Sequence, residues 1–101
     1  MLAEFSIFPL DKGVKLGKYV AKIVDLIDRS GLPYQTCSMC TIVEGSWDEI
    51  MGLIKRCHNL LRKDSQRIYT SITIDDRKGA KGRLGGKVDD VEKILKRKIK
   101  K

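Results

Sequence analysis

An α+β fold is predicted for this 101-residue chain. Three observations predict it: period-two alternation at the start, two stretches with apolar residues at helical spacing, and a Ser-Trp-Asp-Glu box that opens the second of those stretches.

Ala3-Glu-Phe-Ser-Ile-Phe-Pro9 alternates and reads as a strand, with Ala3, Phe5 and Ile7 on one face and Glu4, Ser6 and Phe8 on the other. Leu16 to Ser30 carries Leu16, Val20, Ile23, Val24 and Ile27 at helical spacing and is closed by Gly31 and Pro33, so an amphipathic helix is expected. Tyr34 to Glu44 has room for two short strands joined by a tight turn near Ser38 and Met39. Ser46-Trp-Asp-Glu49 is a capping box, and the helix it starts runs to about Lys63 with Ile50, Ile54, Cys57 and Leu61 inward. Arg67 to Asp75 is the most regular strand, opposing Ile68, Ile72 and Ile74 to Tyr69, Ser71 and Thr73. A glycine-rich loop, Lys78 to Gly86, leads to a last helix over Lys87 to Lys98, where Val88, Val91, Leu95 and Ile99 share a face and acids precede bases.

The order β-α-β-β-α-β-α contains two β-α-β halves and predicts a ferredoxin-like β-α-β-β-α-β sheet with helices on one face and an extra C-terminal helix. Residues 1–101 read as a single domain, with the basic loop and helix at 77–101 appended. The other face of the sheet, with Glu4, Ser6 and Phe8 beside Tyr69, Ser71 and Thr73, is too apolar for simple solvent surface. A homo-oligomer that covers it is expected.

Composition narrows the function classes. No apolar run approaches the roughly 20 residues of a membrane span, and no basic segment leads into an apolar signal core, so a cytoplasmic protein without membrane partners is expected. The net charge of +8 is localised: residues 1–76 hold ten bases and ten acids, and residues 77–101 hold eleven bases against Asp89, Asp90 and Glu92. An appended charge says little about the main site.

Cys37-Ser-Met-Cys40 has the spacing of a redox or zinc motif, but its setting opposes both. A thioredoxin-type pair needs a helix N-terminus to lower the thiol pKa, and here the strand Thr41-Ile-Val43 follows. Zinc would need two more ligands, and the candidates Cys57 and His58 are adjacent on a helix, about 100° apart around its axis. Structural thiols are the reading, with no metal and no cofactor. His58 has no adjacent acid and reads as a solvated helix residue. The loop Lys78-Gly-Ala-Lys-Gly-Arg-Leu-Gly-Gly-Lys87 fails as a phosphate loop because Lys81 and Val88 stand where Gly and Ser or Thr are needed.

Glu4-Phe-Ser-Ile-Phe-Pro9, Tyr34, Met39-Cys-Thr41-Ile-Val-Glu44-Gly45, the helix opening at Trp47, and Ile74-Asp75-Asp76-Arg77 before a basic glycine loop together resemble the thiamine-binding, YkoF-like family of small proteins. The resemblance spans roughly residues 3 to 95. It implies a ferredoxin-like subunit assembling into dimers or tetramers, a pocket for thiamine or its hydroxymethylpyrimidine part, and no enzymatic activity. The family commonly has a small residue such as Gly after the Met, where this chain has Cys40, which fits a packing role for that thiol.

Thiamine carries a fixed thiazolium charge and an aminopyrimidine that both donates and accepts. Carboxylates can pair with it, hydroxyls can read the amine, and aromatic faces can stack. Glu4, Ser6, Phe8, Thr36, Ser38, Thr41, Glu44 and Tyr69 are the candidate binding residues, and none is catalytic. The faces of Thr36, Ser38 and Glu44 stay open, because a one-residue slip reverses them; Glu44 before Gly45 alternatively only shapes the strand-to-helix turn. The leading expectation is a carrier or sensor for thiamine or a related pyrimidine. A second is an interaction protein that sets the basic loop and tail on nucleic acid or another polyanion. An enzyme ranks last, for want of a nucleophile and base pair.

Overall fold

A computed structural model describes residues 1–101. Strand β1 (Leu2–Pro9) leads to helix α1 (Gly17–Arg29), strands β2 (Tyr34–Thr36) and β3 (Thr41–Glu44), helix α2 (Trp47–Arg62), strand β4 (Ile68–Asp75) and helix α3 (Arg83–Leu95). The sheet order is β2-β3-β1-β4, with every neighbouring pair antiparallel. This is the ferredoxin-like arrangement expected, and the tight turn between β2 and β3 falls on Ser38 and Met39.

Side chains alternate across a strand, so the register sorts the two faces. Ala3 pairs with Val43 and Ile74, and Phe5 with Thr41 and Ile72, on the face beneath the first two helices. Tyr19, Ile23 and Ile27 of α1 and Ile50, Leu53, Ile54, Cys57 and Leu61 of α2 close the core over Ala3, Phe5, Ile7 and Val43. Helix α2 starts as its capping box requires: Ser46 Oγ accepts from the Glu49 amide at 3.2 Å, and Glu49 Oε1 accepts from the Ser46 amide at 2.9 Å.

Two expected core positions differ. Val20 is 46 % exposed. The buried row of α1 runs Tyr19, Ile23 and Ile27 at steps of four, which turns Val20 and Val24 to its flank. Ile72 is 41 % exposed, because β4 is an edge strand with no neighbour on its outer side.

The larger difference is in α3. It begins at Arg83, inside the stretch expected to be loop, and ends at Leu95 rather than Lys98. No acid lies in its first turn; the negative charge at its start comes from Glu44, whose carboxylate accepts from the amides of Arg83 at 3.0 Å and Leu84 at 3.1 Å. Gly82, at φ 66°, supplies the left-handed turn that aims those amides. Glu44, Leu2 and Asp75 align across the sheet on the face opposite α1 and α2, so the three helices do not share one face. At the far end Lys96 reverses the chain at φ 59°, and the tail returns to Glu92, which accepts from the Ile99 amide at 2.9 Å and Lys101 Nζ at 2.8 Å. The shared face of Val88, Val91, Leu95 and Ile99 is consequently not core, and Val91 and Leu95 are exposed.

Leu53 is fully buried where α2 meets the sheet. Leu53→Ala is expected to lower unfolding free energy by about 2–5 kcal/mol, measured by urea denaturation, through lost burial and the cavity left behind.

Candidate functional site

β1 has eight residues paired with β4 and only four paired with β3, from Leu2 opposite Glu44 to Phe5 opposite Thr41. Beyond Phe5 the β3 side of β1 has no strand neighbour. The two-residue turn of the β2-β3 hairpin stops short there, and a cavity of about 460 Å³ opens between the hairpin tip, the outer half of β1 and the start of α1. Drug-sized ligand pockets run from roughly 300 to 1,000 Å³, so its size suits a small organic molecule.

The lining is an apolar wall with polar groups at its edge. Phe5, Ile7, Leu16, Val20, Ile23 and Val24 form the wall toward α1, and Phe8, Met39 and Tyr69 continue it around the sheet edge. The Phe8 and Tyr69 rings are tilted with centroids 5.5 Å apart. Ser6, Ser71, Thr36, Ser38, Thr41, Cys37 and Cys40 supply polar atoms. The hairpin tip is tethered to the sheet where Ser6 Oγ donates to the Met39 carbonyl at 2.7 Å.

Glu4 stands one position along the open face from Ser6. It has no ion pair, and its only side-chain partner is Cys40, whose Sγ lies 3.7 Å from Glu4 Oε2. Burial pushes the Cys40 thiol up, and the neighbouring Glu4 charge and Cys37 add to the shift. Cys57 lies away from the cavity in the core, where burial pushes its thiol up to about 11 against a small opposing pull from Arg56. Both shifts describe thiols at neutral pH.

Six of the eight expected binding residues line the cavity: Ser6, Phe8, Thr36, Ser38, Thr41 and Tyr69. Thr36 pairs with Thr41 and both have the helix-side parity of Phe5. Glu4 flanks the cavity through Cys40. Glu44 is at the opposite end of β3, committed to α3, and borders a separate small cavity of about 70 Å³ with Arg77, Arg83 and Lys87. The other lining residues, Cys37, Met39, Cys40, Ser71 and the apolar wall of β1 and α1, were not among the candidates. The one available signal was the shortness of the Tyr34–Glu44 segment, which leaves half of β1 without a neighbour. His58 does not line the cavity.

The family model described as "Thiamine-binding protein" matches residues 3–92. The chain belongs to this thiamine-binding protein family. The UPF0045 protein MJ1052 of Methanocaldococcus jannaschii is 35 % identical over 100 residues, covering 99 % of this chain and 89 % of the relative. Its crystal structure matches with a TM-score of 0.82 at 34 % identity, over 89 % of this chain and 93 % of that one. The UPF0045 protein Mb1933 of Mycobacterium bovis is 34 % identical over 98 residues, 96 % of each chain. A Thermotoga maritima structure, of a protein proposed to act in thiamine biosynthesis or salvage, matches with a TM-score of 0.78 at 22 % identity, over 89 % of this chain and 96 % of that one. The UPF0045 names carry no activity, and the family's description is one of binding rather than catalysis. No helix is long and apolar enough to cross a membrane.

Burial alone would raise the Glu44 carboxyl, but the amides of Arg83, Leu84 and Gly82 outweigh it and hold the group below its ordinary value of 4.5. A carboxyl lowered in the folded state contributes fully above its unfolded value, and the contribution is lost as pH falls through the folded value. The Arg83 and Leu84 amide shifts are therefore expected to titrate by NMR with a midpoint below 4.5. Glu44→Gln should speed hydrogen exchange in residues 83–95 at neutral pH while leaving β1 and β4 unchanged.

Proposed function

We propose that this protein binds thiamine, or its hydroxymethylpyrimidine part, in the cavity between the β2-β3 hairpin and the outer half of β1, and acts as a carrier or sensor in a cytoplasmic homo-oligomer. The observation that carries the reading is a cavity of about 460 Å³ with an apolar wall and an edge of hydroxyls, beside a carboxylate that has no cation. Family membership supports it, as does the name of the Thermotoga maritima structural neighbour.

The chemistry fits the parts of the molecule. A planar aminopyrimidine stacks against Phe8 or Tyr69 and exchanges hydrogen bonds with Ser6, Ser71, Thr36 or Thr41. Glu4 offers its charge to the thiazolium, whose quaternary nitrogen carries no N–H and so is met by a nearby anion rather than by a hydrogen-bond acceptor. No catalytic step belongs to this reading. Lys98 and Lys101 face Glu92, Lys87 faces Asp75 and Arg83 faces Asp90, so part of the appended positive charge is already matched. That pairing favours small-molecule binding over a polyanion partner.

Oligomerisation answers the uncovered face. Ile42 lies between Glu4 and Gln35 on the open side of the sheet, and Val91, Ile94 and Leu95 of α3 are exposed as well.

Calorimetric titration with thiamine, thiamine phosphate and hydroxymethylpyrimidine is expected to give saturable heat for at least one of them. Glu4→Gln should weaken thiamine by about two- to fivefold, the range of an exposed ion pair, and should weaken the uncharged pyrimidine less. Absence of heat and of thermal stabilisation with all three ligands would remove the reading. Ile42→Asp, on the open face and outside the cavity, is expected to shift the light-scattering mass to that of the monomer.

A further inference from the structure

The C-x-x-C stretch closes a β-hairpin, and its two cysteines occupy paired positions across the turn. Thr36 opposite Thr41 is the last strand pair, and the next step brings Cys37 opposite Cys40, joined by a hydrogen bond from the Cys37 amide to the Cys40 carbonyl at 2.8 Å. Directly paired residues of an antiparallel hairpin point to the same face. A hydrogen-bonded pair has its Cα atoms about 5.5 Å apart, inside the roughly 4.4–6.8 Å that a disulfide spans; its Cβ atoms sit at the wide end of the cross-strand spacing, so the turn tightens as the bridge closes, and the Cys37 side chain is already a hydrogen-bond partner of Cys40. Both side chains line the same cavity, Cys37 is exposed, and Cys40 donates its S–H to Glu4.

We infer that Cys37 and Cys40 form a modification site at the lip of the cavity, a dithiol that a hydroperoxide converts to an intramolecular disulfide. The exposed Cys37 thiolate attacks the peroxide; the O–O bond breaks, an alcohol or water leaves, and Cys37 becomes a sulfenic acid. The Cys40 sulfur then attacks the Cys37 sulfur. The S–O bond breaks, and a second water departs with the proton that Glu4 draws from Cys40. Two thiols are oxidised by one electron each and one peroxide is reduced by two. The pair differs from a thioredoxin site because no helix N-terminus activates either thiol, so the role is that of a target rather than a catalyst.

The bridge has two consequences at the lip. It cross-links the turn that holds Met39 against Ser6, and it removes the only side-chain donor to Glu4. The second consequence rests on the proposed binding role: a carboxylate no longer shared with a thiol proton pairs more strongly with a bound cation.

The experiment treats reduced protein with hydrogen peroxide and counts thiols after denaturation. The count is expected to fall from three to one, with the remaining thiol on Cys57 and an intact-mass loss of two hydrogens that dithiothreitol reverses. In Cys37→Ser and Cys40→Ser, no such reversible loss of two hydrogens is expected. Sulfinic acid on Cys37 with Cys40 still titratable, or a disulfide between chains on a non-reducing gel, would overturn the site. Thiamine titration of both forms is read separately, and severalfold tighter binding to the oxidised protein is expected. Unchanged or weaker binding overturns the link to Glu4 while leaving the disulfide standing. Failure of the reduced protein to bind thiamine tells against the binding role, and the thiol count still decides the site.

Discussion

The unequal pairing of β1 governs this molecule. Its full length is bonded to β4, but its partnership with β3 ends at Phe5 opposite Thr41. The inner half of the strand is therefore covered on both sides and carries the core residues Ala3 and Phe5 under α1 and α2. The outer half lacks a neighbour on one side, and the space that a longer hairpin would fill becomes the cavity. A β2-β3 hairpin four residues longer on each strand would pair the rest of β1 and fill the cavity.

The same shortness explains which side chains meet. Val20 and Val24, on the flank of the buried row of α1, line the cavity over the missing part of β3. Ser6 and Phe8 have the parity of the uncovered face, Thr36 and Thr41 that of the helix face, and only at a sheet edge can residues of both parities line one cavity. Cys37 and Cys40 share the uncovered parity with Glu4, which puts a thiol against the carboxylate.

Two carboxylates fix the last helix. Glu44 neutralises the free amides at the start of α3 from 39 and 40 residues away in sequence. Glu92, only 7 % exposed, gathers the Ile99 amide, Lys98 and Lys101 at its end. The appended segment is thus held largely by polar contacts rather than by a buried apolar face, since Val91, Ile94 and Leu95 stay exposed. An arrangement of this kind leaves an apolar stripe of α3 exposed.

What the sequence by itself determined is what local physics controls: the strand alternation of β1 and β4, the amphipathic face of α2, its capping box, the tight turn at Ser38 and Met39, and the β-α-β-β-α-β order that leaves one sheet face open. Six of the eight candidate residues meet at one cavity because they lie on that face or beside that turn. Tertiary structure alone decided the rest, because each remaining feature joins residues far apart in the chain. Glu44 was free on paper to bind a ligand, and the fold commits it to Arg83 and Leu84. The glycine loop became the first turn of α3 because a distant carboxylate satisfies its amides. Whether Cys37 faced Cys40, and Cys40 faced Glu4, depended on a strand register that a single-residue slip would have reversed.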